Sequence, residues 1–398
     1  MSRTVVLAYS GGLDTSVCVR WLTDRGYRVV AFMADVGQGE PAPQMIRRAK
    51  IGGAVEVVVR DVRNEFAADY VLPALRAHAI YEGKYCLATA LSRPLIAKHL
   101  VEVAHAHHAT AVAHGCTGKG NDQVRFEVGV RSLDPSLEII APVRQWEFRS
   151  REEEIDYAKL HGIPVDVTKR SPYSIDLNLW GVSIESGVME DPWTEPPADS
   201  YRWLSTPERA PSKAASVIVG FERGKPVSLN GTRLDLVTLI NRLNVLAGKH
   251  GVGRTDMIES RVVGIKSREV YEAPAAQVLL EAHGELQRLV FDRELLHFTQ
   301  SLSPKYAELV YYGLWFTPLK TALDAYIHHT EQRVTGSVRL KLYKGACLVT
   351  GRSSPNALYK RHLATYGEGD QFDPRAAEGF IKLWGLPYEG QGAKATSK

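Results

Sequence analysis

Small and polar residues near the start of the chain follow a pattern suited to binding a chain of phosphates. The pattern is Ser10-Gly11-Gly12-Leu13-Asp14-Thr15-Ser16. Before it, the apolar run from Val5 to Tyr9 predicts a buried strand, and after it Val17 to Arg25 predict a helix. Glycines let the backbone approach an anion, hydroxyls donate hydrogen bonds, and the N-terminus of the helix offers free N–H groups. We therefore expect a pyrophosphate cradle between this strand and this helix.

The order of residues in the cradle narrows the chemistry. The motif G-x-x-x-x-G-K-S/T is absent from the loop, which disfavours transfer of a terminal phosphoryl group. The pattern SGG-x-D-S/T instead resembles the loop of the ATP pyrophosphatase superfamily, whose members cleave ATP between the α and β phosphates. An ordinary glycine turn is the alternative interpretation, and this order of glycines and hydroxyls disfavours it.

A second polar segment, His114 to Glu127, has side chains that can bind an amino acid. Three glycines come first, and a run of polar residues follows within nine positions. Arg125 offers a planar fork for a carboxylate, Asp122 can bind an ammonium, and Asn121 can both donate and accept. The segment therefore predicts a site for a zwitterionic amino acid. The alternative is a helix start, with Asn121 or Asp122 as the N-cap and Arg125 in a surface ion pair.

Strand-like and helix-like stretches alternate through the first half of the chain. The stretches are Arg28 to Asp35, Pro41 to Ile51, Val55 to Arg60, Asn64 to His78, Tyr85 to His108, Ala111 to His114 and Glu138 to Ala141. Such alternation predicts an α/β fold with a parallel, doubly wound sheet. Ligands should gather beyond the carboxyl ends of its strands, at the cradle, at Ala34 and Asp35, and at Gly115 to Arg125. Pro94 predicts a kink or two helices in its stretch.

The second half has a different pattern and predicts an α+β domain. Five prolines between Asp191 and Pro211 indicate a loop. Two hairpins, two helices and a strand are then expected: hairpins around Gly224 and Lys344-Gly345, helices over Asp235 to Ala247 and Arg375 to Leu383, and a strand over Met257 to Ile265. We expect domains at residues 1–168, 171–365 and 366–398, the last a C-terminal helix, suited to an oligomer arm, with a disordered tail from Gly390.

Composition limits the class of protein. The 398 residues are 44% hydrophobic, which predicts a large core and two or three domains. No apolar run is long enough for a signal peptide or a membrane span, so we expect a cytoplasmic protein with no membrane partner. The four cysteines form no C-x-x-C pair, and a formal charge of +4 does not indicate nucleic-acid binding. We interpret His105, His107 and His108 as a helix end, not as a metal cluster.

Four segments together resemble the argininosuccinate synthase family. They are Tyr9 to Ser16, His114 to Glu127 with its GKGNDQVRFE core, Ser171 to Ser174 with Asn178 to Gly181, and Gly248 to Arg254. That family joins citrulline to aspartate, consumes ATP and releases AMP and pyrophosphate. The resemblance implies a nucleotide-binding domain, a synthetase domain, a homotetramer and Mg²⁺, with no tightly bound organic cofactor.

The resemblance also implies roles for individual residues. ATP would be held by Ala8, Tyr9, Ser10, Gly11, Gly12, Leu13, Asp14, Thr15, Ser16, Ala34 and Gly115. Aspartate would be held by Thr117, Asn121 and Asp122, and citrulline by Tyr85, Asn121, Arg125, Ser174, Ser183, Glu259 and Tyr271. Ser10 and Asp14 are the candidate catalytic residues, with Asp14 steering the metal or the incoming amine, or acting as a helix N-cap. The chain departs from the family at Ala90, beside Thr89, where a small hydroxyl residue is frequent.

Three other functions are considered from the sequence. An amidotransferase of the same superfamily would need a glutamine-hydrolysing domain with a nucleophilic cysteine near its start, where this chain has Ser2 and Ser10. A tRNA-modifying ATP pyrophosphatase would keep the cradle but should carry a reactive cysteine pair or a basic RNA-binding appendage. A non-catalytic nucleotide sensor would explain the cradle but not the segment from Asn121 to Arg125. Turnover of ATP distinguishes the sensor from the enzymes.

Overall fold

The structure is a computed structural model that describes residues 3–39, 42–164 and 173–392. Two expectations therefore fall partly outside it: the beginning of the second domain at Ser171 and Pro172, and residues 393–398 of the tail. The chain divides into two compact units, residues 1–356 and residues 357–398. Each unit is described by itself below.

The first half contains a five-stranded parallel sheet. Its strands are β1 (Thr4–Ala8), β2 (Arg28–Asp35), β3 (Glu56–Asp61), β4 (Ala111–His114) and β5 (Glu138–Ile140), in the order β3-β2-β1-β4-β5. Ala8, near the end of β1, lies opposite Phe32 of β2 and His114 of β4. From β1 the chain first adds strands on one side, β2 and β3, and then on the other, β4 and β5. The loops after β1 and β4 therefore border the crevice where such sheets bind ligands.

Helices cover both faces of this sheet. They are α1 (Leu13–Asp24), α2 (Ala42–Gly52), α3 (Arg63–Glu65), α4 (Leu72–Arg76), α5 (Ala88–Ala106), α6 (Asp122–Leu133), α7 (Pro142–Gln145) and α8 (Arg151–Leu160). Alternate residues of β1 face opposite sides: Leu7 packs with Leu22 of α1, and Val6 packs with Leu100 of α5 and Phe126 of α6. The predicted doubly wound α/β fold is confirmed.

Three details differ from the sequence prediction. Helix α1 begins at Leu13, four residues early, because Gly12 in extended conformation is its N-cap. Pro94 lies inside one continuous helix, α5, whose many buried residues offset the lost hydrogen bond. The helical stretch before residue 78 is interrupted by a π-helical turn, Phe66–Val71, between α3 and α4.

The second half of the first unit contains two antiparallel sheets. Their strands are β6 (Ser174–Asn178), β7 (Gly181–Glu185), β8 (Ala215–Glu222), β9 (Lys225–Leu229), β10 (Thr232–Arg233), β11 (Arg254–Ser260), β12 (Lys266–Glu272), β13 (Gly336–Tyr343) and β14 (Ala346–Ser353). The orders are β10-β9-β8-β13-β14 and β11-β12-β7-β6. Both expected hairpins are present. The expected strand over Met257 to Ile265 is wrong beyond Ser260, because the chain turns there, with Gly264 at φ +89°, and returns as β12.

Four long helices pack beside these sheets. They are α9 (Leu236–Lys249), α10 (Pro274–Val290), α11 (Arg293–Tyr311) and α12 (Pro318–Thr330). Two short 3₁₀ helices, Gly187–Glu190 and Glu331–Arg333, complete this half. The large core joins these helices to the first half of the chain, since Leu91 of α5, Leu243 of α9 and Leu286 of α10 belong to one buried cluster.

The second compact unit holds α13 (Arg361–Ala364), α14 (Pro374–Gly385) and a 3₁₀ turn, Leu386–Tyr388. The predicted helix over Arg375 to Leu383 is confirmed. Phe380, Ile381 and Trp384 of α14 are each more than half exposed. None of the helices in the described ranges is long and apolar enough to span a bilayer. All four cysteines of the chain are free thiols.

Candidate active site

The predicted cradle forms the connection between β1 and α1. Gly11 has φ +79°, and a Cβ built on it would lie 2.3 Å from Cε of Met45, so glycine fits here without strain. The Ser10 and Thr15 hydroxyls lie 3.1 Å apart, and Ser16 Oγ donates to the Gly12 carbonyl at 2.7 Å. Gly12 offers no side chain to cap α1, so first-turn N–H groups remain available for an anion.

Asp14 lies in the first turn of α1 and is not its N-cap, so the capping alternative for Asp14 is wrong. Its carboxylate faces Glu154 of α8, a residue that sequence reasoning did not select. Burial, and second the charge of Asp14, raise the pKa of Glu154 from its ordinary 4.5 to about 8. Glu154 Oε2 is buried, with no hydrogen-bond donor among the described residues. The cradle is therefore flanked by two neighbouring carboxyl groups, those of Asp14 and Glu154.

The raised pKa predicts how Glu154 affects stability. A carboxyl group whose pKa is higher in the folded state favours folding at low pH, and this contribution is lost as pH rises from about 4.5 to about 8. The melting temperature of Glu154→Gln minus that of the native protein is therefore expected to be larger at pH 8.5 than at pH 5. Thermal unfolding at both pH values measures this. Glu152→Gln, an exposed site on the same helix, is the control, and an equal change in both variants would contradict the prediction.

The loop after β4 lies directly beside the cradle. A Cβ built on Gly115 would lie 2.9 Å from Cγ2 of Thr15, so only glycine permits this approach. Asn121 occupies the N-cap position of α6, but its side chain does not cap the helix. Its Nδ2 donates to the Tyr311 hydroxyl at 2.8 Å, and its Oδ1 accepts from the Val262 N–H at 2.9 Å. Asn121 is therefore the N-cap by position, but its side chain binds distant residues and does not cap the helix.

Arg125 is buried, with 4% of its surface exposed, so it is not in a surface pair. Its Nε donates to the Tyr311 carbonyl at 2.9 Å, at the C-terminal end of α11, where a cation complements the helix dipole. Its Nη1 donates to Asp122 at 2.9 Å. Its Nη2 is buried and has no acceptor within the described ranges. A buried guanidinium nitrogen without a partner favours binding of an oxygen ligand, such as a carboxylate.

Asp122 is held between two arginines. Oδ2 accepts from Arg93 Nε at 2.9 Å, and Oδ1 accepts from Arg125. Arg93 also donates to Asp176 of β6 at 2.5 Å, which links α5 of the first half to an antiparallel sheet of the second half. Burial alone would raise the pKa of Asp122, but the charges of Arg93 and Arg125 hold it below its usual value. Asp122 is therefore ionised, and it orients Arg125.

The register of the four-stranded sheet places polar side chains on one face. Tyr271 lies opposite Ser183, and Ser183 lies opposite Asp176. Glu259 lies opposite Ser267, which is four residues before Tyr271 on β12 and therefore on the same face. The Ser183 hydroxyl lies 2.9 Å from the Thr89 hydroxyl of α5. This face therefore meets the N-terminal turn of α5.

Tyrosines surround Glu259. Tyr271 donates to Oε2 and Tyr311 donates to Oε1, each at 2.5 Å. Tyr85 stacks on Tyr271 with ring centroids 4.0 Å apart. Burial raises the pKa of Glu259, while the two tyrosine hydroxyls and Arg125 oppose that rise.

The structure brings most of the candidate residues into two adjoining groups. The first group comprises the cradle and Gly115; the second is linked by side-chain contacts and comprises Tyr85, Asn121, Asp122, Arg125, Glu259 and Tyr271, with Ser183 reached through Thr89. Thr117 is exposed, and Ser174 is exposed at the start of β6. Ala34 and Tyr9 lie beside the cradle: Tyr9 Oη is 3.1 Å from Ser16 Oγ, and Ala34 follows Phe32, the partner of Ala8, on β2.

Sequence reasoning missed several residues that complete the site. They are Thr89, Arg93, Glu154, Asp176, Arg261 and Tyr311. Arg261 donates to Glu185 at 2.5 Å and to Glu269 at 2.6 Å. Only Thr89 had a signal, since it stands beside the departure at Ala90; the others contact partners far away in the chain. Within the described ranges no three His, Cys, Asp or Glu residues are grouped so that they could hold a metal ion. Of the three histidines at the end of α5, His105 contacts Asp134.

Two family models match consecutive parts of the chain. The model of the Arginosuccinate synthase N-terminal HUP domain matches residues 4–164, and that of the Arginosuccinate synthase C-terminal domain matches residues 173–390. The chain belongs to the argininosuccinate synthase family. The resemblance seen in the four sequence segments is thus confirmed.

Curated relatives in this family match the chain along nearly its whole length. The argininosuccinate synthase of Aquifex aeolicus is 58% identical over 387 residues, which cover 97% of this chain and 96% of the relative. That of Rubrobacter xylanophilus is 58% identical over 385 residues, covering 97% and 94%. That of Symbiobacterium thermophilum is 57% identical over 398 residues, covering 100% and 99%.

Proposed function

We propose that this chain is an ATP-dependent ligase that joins citrulline to aspartate through a citrullyl-adenylate. The products are argininosuccinate, AMP and pyrophosphate, a step of arginine biosynthesis. One observation carries the proposal: the phosphate cradle at Ser10 to Ser16 meets the loop of Gly115, which leads directly to the buried Arg125. A site that binds phosphates and a site that binds an amino acid thus adjoin at the crevice beyond β1 and β4. This arrangement disfavours a nucleotide sensor, and family membership disfavours a tRNA-modifying enzyme.

The proposed reaction has two displacements. First, the ureido oxygen of citrulline attacks the α-phosphorus of ATP, the bond to the β-phosphate breaks, and pyrophosphate leaves into the cradle. Second, the amine of aspartate attacks the activated ureido carbon, AMP leaves, and the departing phosphate takes up the amine proton. Holding three reactants in line contributes roughly 7–11 kcal/mol, and the N–H groups of α1 stabilise the leaving pyrophosphate.

The proposed residue roles follow the two groups of the site. ATP contacts Ala8 to Ser16, Ala34 and Gly115, with Ser10 and Asp14 nearest the chemistry. Aspartate contacts Thr117, Asn121 and Asp122; citrulline contacts Tyr85, Asn121, Arg125, Ser174, Ser183, Glu259 and Tyr271. The unpartnered Nη2 supports Arg125 as the carboxylate binder. The two arginine bonds of Asp122 support an orienting role besides aspartate binding.

The cradle suits Mg²⁺ as a companion of ATP. Mg²⁺ in proteins is usually held by one or two carboxylates together with phosphates of the substrate. Asp14 and Glu154 form such a pair, and Glu154 Oε2 is buried without a donor among the described residues. These two residues would hold the ion, which would neutralise phosphate charge there.

Domain boundaries and assembly are further proposals. The matched ranges, 4–164 and 173–390, support domains at 1–168 and 171–365, and the separate compact unit supports a C-terminal helix and tail at 366–398. Exposed Phe380, Ile381 and Trp384 support α14 as an oligomer arm in a cytoplasmic homotetramer. Analytical ultracentrifugation measures the assembly, and a monomer at micromolar concentration would contradict it.

Pyrophosphate release tests the function. It is measured with ATP alone, with citrulline or aspartate added singly, and with both. We expect steady release only when both amino acids are present. Steady release with neither, or none under any condition, would contradict the proposal.

Isotope transfer tests the first displacement. Citrulline labelled with heavy oxygen in its ureido group should deliver that oxygen to AMP, because that oxygen becomes the bridge to the α-phosphorus. Mass spectrometry of AMP and argininosuccinate measures the transfer. Label retained in the amino-acid product would contradict adenylation.

A further inference from the structure

Tyr311 connects the substrate-facing side chains of the site to one another. Its hydroxyl donates to Glu259 and accepts from Asn121 Nδ2 at 2.8 Å. Its carbonyl accepts from Arg125 Nε. Three residues proposed to bind citrulline are therefore held by one residue of α11. Tyr311 itself is not among the residues that the family resemblance assigned to a substrate.

The hydroxyl and the ring of Tyr311 are occupied by protein groups. A phenol has one proton to donate, and Glu259 receives it. Tyr81 stacks on the ring with centroids 3.6 Å apart, and the Arg125 guanidinium lies 4.8 Å from the ring centre. The side chain is fully buried. Any effect of Tyr311 on catalysis therefore acts through its neighbours.

We propose that Tyr311 is a positioning residue for citrulline, which fixes the orientation of Glu259, Asn121 and Arg125. This inference rests on the proposed function. Tyr311 donates to Oε1 of Glu259 and Tyr271 donates to Oε2, so the two phenols fix the orientation of the carboxylate. Each oxygen retains a lone pair for an amine or ureido N–H of citrulline.

Loss of the Tyr311 hydroxyl should change the titration of Glu259. The titratable and charged groups that face Glu259 are Tyr81, Tyr85, Tyr271, Tyr311, Arg125, Arg261 and Glu269. Burial raises the pKa of Glu259, and the hydrogen bond from Tyr311 lowers it. Removing that bond raises the pKa further, so a higher pH is needed to ionise the carboxylate.

Tyr311→Phe tests the proposal, with Tyr306→Phe as the matched control. Tyr306 lies on the same helix, is equally buried, and donates to Asp324 at 2.8 Å, away from the site. Kinetics are measured over pH 5.5–9.5 with full-length protein, varying citrulline at saturating ATP and aspartate. For Tyr311→Phe we expect kcat/KM for citrulline to fall roughly 10- to 100-fold. We expect the acid limb of its pH profile of kcat/KM for citrulline to move up by about one pH unit. KM for ATP should stay within about twofold of wild type.

Three outcomes separate the possibilities. The native protein is assayed first, and absence of citrulline-dependent turnover would overturn the proposed function. If the native protein turns over but the two variants lose melting temperature and activity alike, with unmoved acid limbs, Tyr311 is structural and the inference is wrong. An acid limb that moves only in Tyr311→Phe supports the inference, even if both variants are destabilised.

Discussion

Arg125→Lys is expected to lower kcat/KM for citrulline by about 100-fold or more, while the affinity for ATP stays within about threefold. Each nitrogen of the Arg125 guanidinium has a different role. Nε donates to the Tyr311 carbonyl, Nη1 donates to Asp122, and Nη2 is left for a ligand. A lysine ammonium keeps the charge but cannot reach all three in one plane. Steady-state kinetics with citrulline, and equilibrium binding of ATP, measure the two effects.

Arg131→Lys is the matched control for this variant. Arg131 lies on the same helix, α6, but is exposed. It should behave as the native protein in both measurements. Equal losses of citrulline use and ATP affinity in Arg125→Lys would contradict the assigned role, because they would indicate general damage to the crevice.

Gly313→Ala is expected to lower the free energy of unfolding by about 2–5 kcal/mol and to abolish most citrulline-dependent turnover. Gly313 follows α11 with φ +75°, a conformation that costs an L-residue roughly 1–2 kcal/mol. A Cβ built on it would lie 2.7 Å from the Cα of Arg125. That contact is with backbone, so the end of α11 must move away from α6. The hydrogen bonds of Tyr311 to Arg125 and Asn121 would then lengthen.

Gly26→Ala separates backbone strain from the close contact. Gly26 has φ +80°, but a Cβ built on it meets nothing within 4 Å. The free energy of unfolding of Gly26→Ala should therefore fall only by the cost of backbone strain, roughly 1–2 kcal/mol. Its activity should be retained. Urea unfolding and the pyrophosphate assay measure both variants. A Gly313→Ala protein no less stable and no less active than Gly26→Ala would show that α11 and α6 can separate without consequence.

Local sequence patterns predicted much of the secondary structure. The strand over Ala111 to His114 and the hairpin turn at Lys344-Gly345 were predicted from short-range periodicity and turn chemistry, and both are confirmed. The predicted start of α1 was four residues late, because Gly12 in extended conformation is its N-cap. At Pro94 the two-helix alternative is wrong, because α5 is one helix that is buried along much of its length, and tertiary packing there overrides local preference.

The types of the site residues were also readable in the sequence. Asn121, Asp122 and Arg125 were selected because their donors and acceptors suit an amino acid. The capping alternative could not be dismissed from sequence, because Asn at a helix start is equally suited to capping. The structure decides it, since both ends of the Asn121 amide bind residues more than 130 positions away.

By itself the sequence predicted a phosphate site after the first strand and an amino-acid site after the fourth, and it identified the family through four short segments. Those features depend on residues adjacent in the chain, whose spacing is fixed by the backbone. Only the tertiary structure showed how Arg125 is oriented and which neighbours act on the pKa of Glu259. Tyr311 contacts both residues, and the pairing of Asp14 with Glu154 likewise joins α1 to α8. Charge and orientation follow from burial and from contacts between distant segments, which no local pattern encodes.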